Sequence, residues 1–144
     1  MIKNQRQYRI TRAQAQKFER TIMEIETKPN PAIHAKLHKA QLDGLRSQLG
    51  DLKREIKEYE ALRSGRRRVI QIDSIEELPK TLIQARIAAG LSQEDLAAKL
   101  GLKPQQVQRY EATDYQSASL ERVNQIVRVL GVKFRHPAEL RLAP

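Results

Sequence analysis

The sequence contains no cysteine and no tryptophan, and only 4% of its residues are aromatic. Without cysteine there can be neither a disulfide nor a thiolate metal site, which is compatible with a reducing compartment. No apolar run approaches the roughly 18 residues that a membrane span needs. The first twelve residues are polar and lack the apolar core of a secretory leader. A cytoplasmic location, in a bacterium or encoded by a phage, and no membrane partner are therefore expected. Acidic residues are also in short supply: 17 Asp and Glu face 27 Lys and Arg, for a net charge of +10 over 144 residues. The excess is shared, with 14 cations against 8 anions through Ser64 and 13 against 9 beyond it. Such a chain is drawn to polyanions, because each neutralised phosphate releases counterions.

Catalytic chemistry has little to work with. There is no thiol nucleophile and no glycine-rich loop to cradle a phosphate. His34 and His38 are four residues apart and could share a helix face as zinc ligands do. No second pair of ligands accompanies them, and His38 also falls into the apolar register of its helix. No metal, no cofactor and no enzymatic activity are expected.

The N-terminal half reads as two helices. Thr11-Arg12-Ala13-Gln14 has the form of a capping box. Ala15, Phe18, Ile22 and Ile25 follow on one helical face. Lys28-Pro29-Asn30-Pro31 breaks the pattern, because two prolines remove donors and push their neighbours toward extended backbone. A long helix over residues 32–63 comes next. Leu42, Leu45, Leu49, Leu52, Ile56 and Tyr59 alternate at intervals of three and four, a coiled-coil-like seam of about three heptads. Gly44 and Gly50 weaken this helix, and Ser64-Gly65 offers it a glycine end. The charges over residues 51–60 alternate in sign, as on a solvated helix face. A narrow stripe on two helices does not close a core. The first helix is expected to fold back as an antiparallel hairpin, and the remaining seam to pair with a second copy of the chain.

Residues 66–73 form a basic linker that opens on Arg66-Arg67-Arg68, either a phosphate contact or a solvated tether. Val69-Ile70-Gln71-Ile72 and Val132-Lys133-Phe134-Arg135 are β-prone and could pair as a ribbon. From residue 74 to 144 the punctuation is dense. Ser74-Ile75-Glu76-Glu77 is a capping-box pattern, and Pro79 suits the first turn of a helix reaching Ala89. Its apolar residues are Leu78, Leu82, Ile83, Ile87 and Ala88, and Gly90 stops it. Ser92 caps a short helix with Glu94 and Asp95 at the positive end of its dipole. Leu96, Ala97 and Leu100 face inward, and Gly101 allows a tight turn. Pro104 opens the next helix, with Val107 and Tyr110 inward. A last helix runs from Ser119 through Leu120, Val123, Ile126, Val127 and Leu130 to Gly131.

The run Leu91-Ser92-Gln93-Glu94-Asp95-Leu96-Ala97-Ala98-Lys99-Leu100-Gly101-Leu102, followed by Val107 and Tyr110-Glu111, resembles the helix-turn-helix of the Xre/Cro family of phage-repressor-like regulators. The resemblance covers residues 78 to about 132. It implies a four- or five-helix repressor-like domain (74–144); with the N-terminal helical hairpin (1–65) read from the apolar pattern, an all-α protein is expected. It also implies that residues 103–111 form a recognition helix in the major groove of double-stranded DNA. Gln93 then matches a phosphate contact. With Val107 inward, Gln105 and Arg109 point away from the core, flanked by Gln106 and Gln108; glutamine can pair with adenine and arginine with guanine. Arg86 and Glu111 occupy positions that in the family often form a buried ion pair. Lys103 stands where the family usually carries a serine or threonine cap. Beside Pro104 and at a positive helix end, it is expected to contact phosphate. Residues 112–115 replace the usual glycine- or asparagine-containing turn, and Tyr115 is expected to pack beneath that loop.

These readings describe a dimeric repressor reading an imperfect palindrome. One alternative is an antitoxin whose N-terminal helices bind a toxin protein while the C-terminal domain autoregulates. Another is a coiled-coil adaptor that does not bind DNA.

Overall fold

Several helices in this chain begin at a residue whose side chain accepts an orphan backbone donor: Asn4, His34, Ser92 and Ser119. The computed structural model describes residues 1–28, 34–66 and 69–133. Six α-helices are present among them: α1 (Gln5–Thr27), α2 (Ala35–Arg63), α3 (Leu78–Ala88), α4 (Gln93–Leu100), α5 (Pro104–Ala112) and α6 (Leu120–Val129). A 3-10 turn over Ile75–Glu77 precedes α3, and no strand occurs among the described residues. The protein is all-α. Val69 to Ile72 are irregular, and Phe134 and Arg135 lie outside the described residues. The chain divides into two compact units, Met1–Ile70 and Gln71–Pro144.

The first unit is a hairpin of α1 and α2. α1 starts at Gln5 rather than at Thr11. The Asn4 side chain accepts the Gln7 N–H at 2.9 Å, and the Gln7 side chain accepts the Lys3 N–H at 2.8 Å. Asn4 thus caps the helix seven residues before Thr11, and Gln7 reaches back one residue beyond the cap to Lys3. Contacts to α2 hold that extra helix in place. Tyr8 stacks on Tyr59 at 5.0 Å and donates to Glu60 at 2.5 Å. The N-terminal ammonium meets Glu55 at 2.7 Å, and Ile2 is buried. His34 is the N-cap of α2, its Nδ1 accepting the Lys36 N–H. The two-proline break and Ala32 lie outside the described residues.

Antiparallel pairing follows from the cross-helix contacts. Gln5 meets Arg63, Glu19 meets Lys53 at 2.7 Å and Glu26 meets Arg46 at 2.5 Å. These pairs are exposed and contribute little each; the apolar seam carries the packing. Ala15 and Ile22 of α1 are buried, with Phe18 and Ile25 half-buried. On α2, Leu42, Tyr59 and Leu62 are buried within the single chain, while Leu45, Leu49, Leu52 and Ile56 stay half-buried. Gly65, at φ +70°, ends the helix with its N–H on the Leu62 carbonyl.

In the second unit, Ser74 caps the 3-10 turn: its hydroxyl accepts the Glu76 N–H, and Glu77 accepts the Asp73 N–H. Gly90, at φ +72°, closes α3, with the Leu91 N–H on the Arg86 carbonyl. α4 packs on both α5 and α6. Leu82, Ile83, Leu96, Ala97, Val107 and Ile126 form the buried centre. Leu120 does not join it. It is the first residue of α6, ahead of the inward stripe Val123, Ile126 and Val127, and is 76% exposed.

Candidate nucleic-acid interface

α4 and α5 are joined by a three-residue turn that begins with Gly101 at φ +66°, the left-handed conformation that glycine adopts without strain. α4 has a complete capping box. The Ser92 hydroxyl accepts the Asp95 N–H at 3.0 Å, and the Asp95 carboxylate accepts the Ser92 N–H at 2.8 Å. Glu94 and Asp95 neutralise the positive end of this helix. The Ser92 hydroxyl, then its amide, hold the Asp95 carboxyl below the usual carboxylate range. A lowered folded pKa means that the cap contributes above about pH 4 and fades as pH falls through the lower folded value. Asp95→Asn is expected to flatten the acid limb of the thermal stability profile of this unit, followed by circular dichroism.

The N-terminus of α5 is built differently. Lys103 is the N-cap residue and supplies no side-chain acceptor. Gln106 reaches back instead, its Oε1 accepting the Lys103 N–H at 3.2 Å. Pro104 fills the first helical position, where the missing N–H costs nothing. The first turn of α5 contains no acidic residue. A positive helix end and a lysine therefore converge there with no acidic side chain in the first turn, the combination that suits a phosphate.

Along α5 the inward direction is set by Val107 and Glu111, 1% and 0% exposed. At about 100° per residue the opposite face carries Gln105 and Arg109. Both are exposed, as are Lys103, Gln106 and Gln108; Pro104 is half-buried. The side chains named from the sequence as base-reading candidates thus stand on one open helix face. Gln106 has one of its amide groups committed to the helix cap.

Behind that face lies a buried ionic cluster. Arg86 Nε and Nη2 donate to the two Glu111 oxygens at 2.5 and 2.7 Å, and Nη1 donates to the Leu91 carbonyl at 2.8 Å. Gln93 Nε2 donates to Glu111 at 2.7 Å. The residue matched to a phosphate contact is therefore oriented by the buried carboxylate, a link that no sequence pattern revealed. Glu111 ties α3, α4 and α5 together.

Tyr115 seals this cluster. It is 4% exposed and stacks on Tyr110 with ring centroids 6.3 Å apart. Burial pushes its hydroxyl pKa up, and the Glu111 charge adds to the shift. Asp114 and Tyr115 both lie in the left-handed region, at φ +46° and +60°. A non-glycine residue there is strained by about 1–2 kcal/mol, which the buried tyrosine ring and the Tyr115 N–H bond to the Tyr110 carbonyl at 2.7 Å offset. The Tyr115 hydroxyl has no protein hydrogen-bond partner among the described residues. Tyr115→Phe is expected to keep or raise the thermal midpoint, since it preserves the ring and removes no protein hydrogen bond. A clear drop would show that the hydroxyl is held.

Among the described residues no group of three or more His, Asp or Glu side chains is placed to hold a metal ion, and no helix is long and apolar enough to cross a membrane. Among curated proteins and solved structures there is no match to the chain. The helix-turn-helix family model matches residues 82–136, which run from within α3 through α6 and beyond. Residues 82–136 thus carry the match to a helix-turn-helix domain of the Xre/Cro type, a type of DNA-binding regulator.

Proposed function

We propose that the protein is a sequence-specific transcriptional repressor that binds an imperfect palindrome as a homodimer. Two copies of α5 enter successive major grooves about 34 Å apart, and occupancy blocks a promoter. The observation that carries this reading is the open face of α5, where Gln105 and Arg109 stand opposite the buried Val107 and Glu111. Lys103, Pro104 and the acid-free first turn of α5 support a phosphate contact at its start, where backbone contact would fix the register while the exposed face reads bases. The half-buried Leu45, Leu49, Leu52 and Ile56 support a dimer, because a two-helix hairpin leaves apolar surface that a second hairpin would cover.

Fluorescence anisotropy on DNA from upstream of the gene, against scrambled DNA over a salt series, tests the DNA step. A preference for the upstream DNA that survives rising salt is expected. Equal binding that vanishes with salt would leave only net charge acting. Sedimentation equilibrium tests the dimer. A chain that stays monomeric at tens of micromolar would refute self-association and leave the seam to a different protein, as in the antitoxin reading.

A further inference from the structure

We propose that the N-terminal hairpin carries a second, sequence-independent contact surface for the phosphate backbone of duplex DNA, formed by Arg6, Arg9, Arg12, Lys17 and Arg20 of α1. The first 18 residues hold Lys3, Arg6, Arg9, Arg12 and Lys17 and no Asp or Glu. Glu19, the first acid, is committed to Lys53 at 2.7 Å. Let Tyr8, stacked on Tyr59, mark the direction of α2. At about 100° per residue, Arg9, Arg12 and Arg20 fall on one flank of α1, with Arg6 and Lys17 next to them on its outer face.

All five side chains are exposed. The Arg12 guanidinium lies 5.7 Å from the Tyr8 ring centroid, and Arg20 Nε donates to the Gln16 carbonyl. Neither contact is with a carboxylate. Among the described residues none of the five forms an ion pair. Arg63 of α2 joins this flank, since its guanidinium donates to Gln5. Glu60 sits nearby and accepts from the Tyr8 hydroxyl.

Folding of the hairpin does not account for this stripe. Arg6, Arg9 and Arg12 follow one another at i,i+3 spacing, where like charges repel. The first turn of α1 has no acid, and Arg6 within it also opposes the positive end of the helix dipole. A bound polyanion reverses the sign of both effects. From Arg6 to Arg20 the helix rises about 21 Å, over half a turn of duplex DNA. Duplex DNA is the polyanion that the second unit of the same chain binds.

The test uses the full-length chain. Arg6→Gln, Arg9→Gln and Arg20→Gln are combined, which removes three charges and keeps good helix formers. Affinity for scrambled and for upstream duplex is then measured by anisotropy over a salt series. The slope of log K against log salt is expected to become shallower by about 0.9 per lost contact, with helicity and the upstream-to-scrambled ratio unchanged. A slope equal to that of the wild type overturns the proposal. So does loss of binding to phosphatidylserine vesicles with an unchanged DNA slope, which would make the stripe a membrane surface. If the wild type shows no preference for upstream DNA, the repressor reading fails, while the slope comparison still decides this surface.

Discussion

Glu111→Ala is expected to destabilise the helix-turn-helix unit by about 3–5 kcal/mol, the cost of leaving a buried charge without its partner. Arg86 is 2% exposed and Glu111 0%, and both carboxylate oxygens accept from the guanidinium. Alanine removes those acceptors and the acceptor of the Gln93 amide together. A domain of this size has about 5–15 kcal/mol in total, so a large share of its stability goes. Hydrogen exchange of the α3, α4 and α5 amides should accelerate by about two to four orders of magnitude, tenfold for each 1.4 kcal/mol, while amides of α1 and α2 report on the other unit. DNA binding should weaken on every sequence alike. Arg86→Met combined with Glu111→Leu is expected to be more stable than either single change, because no charge is then left buried. If Glu111→Ala costs less than about 1 kcal/mol, the pair is not desolvated as drawn.

What was legible in the sequence was local. Ser92, Gly90, Gly101, Pro104 and Ser119 mark helix boundaries because capping and left-handed turns need particular residues within a few positions. The start of α1 shows the weakness of such signals. Asn4-x-x-Gln7 and Thr11-x-x-Gln14 carry the same pattern, and the choice between them falls to contacts about 50 residues away, such as Tyr8 with Tyr59 and Met1 with Glu55. The seam on α2 was plain as a period, but a period does not name its partner. Leu42 and Tyr59 find theirs within the chain.

The outward face of α5 was legible because helix geometry and one inward residue, Val107, fix the rest of the helix. The elements behind them were not. The hydrogen bond from Gln93 to Glu111 joins residues 18 apart through a folded corner, and nothing periodic encodes it. The left-handed turn at Asp114 and Tyr115 lacks the glycine that would have announced it, since tyrosine burial rather than glycine freedom pays for that conformation.

Gln105→Ala with Arg109→Ala is expected to abolish discrimination while leaving the fold intact. Each side chain can make one bidentate base contact worth about 1–3 kcal/mol, so the pair carries about 2–6 kcal/mol of preference, or roughly 30-fold to 10⁴-fold in affinity ratio. Both residues are exposed and neither contributes to the buried centre. Alanine is also the best helix former, so the thermal midpoint should hold or rise slightly. Binding to scrambled DNA should change by no more than the one phosphate contact that Arg109 could make there, with a salt slope shallower by at most about 0.9. The two measurements together separate readout from attraction. Lys103→Gln is the complementary change: it leaves the Gln105 and Arg109 face untouched and removes a charge from the helix start. It should weaken upstream and scrambled DNA by the same factor. If the double alanine variant keeps its full preference for upstream DNA, α5 does not read bases, and the specificity must come from DNA shape or from another part of the chain.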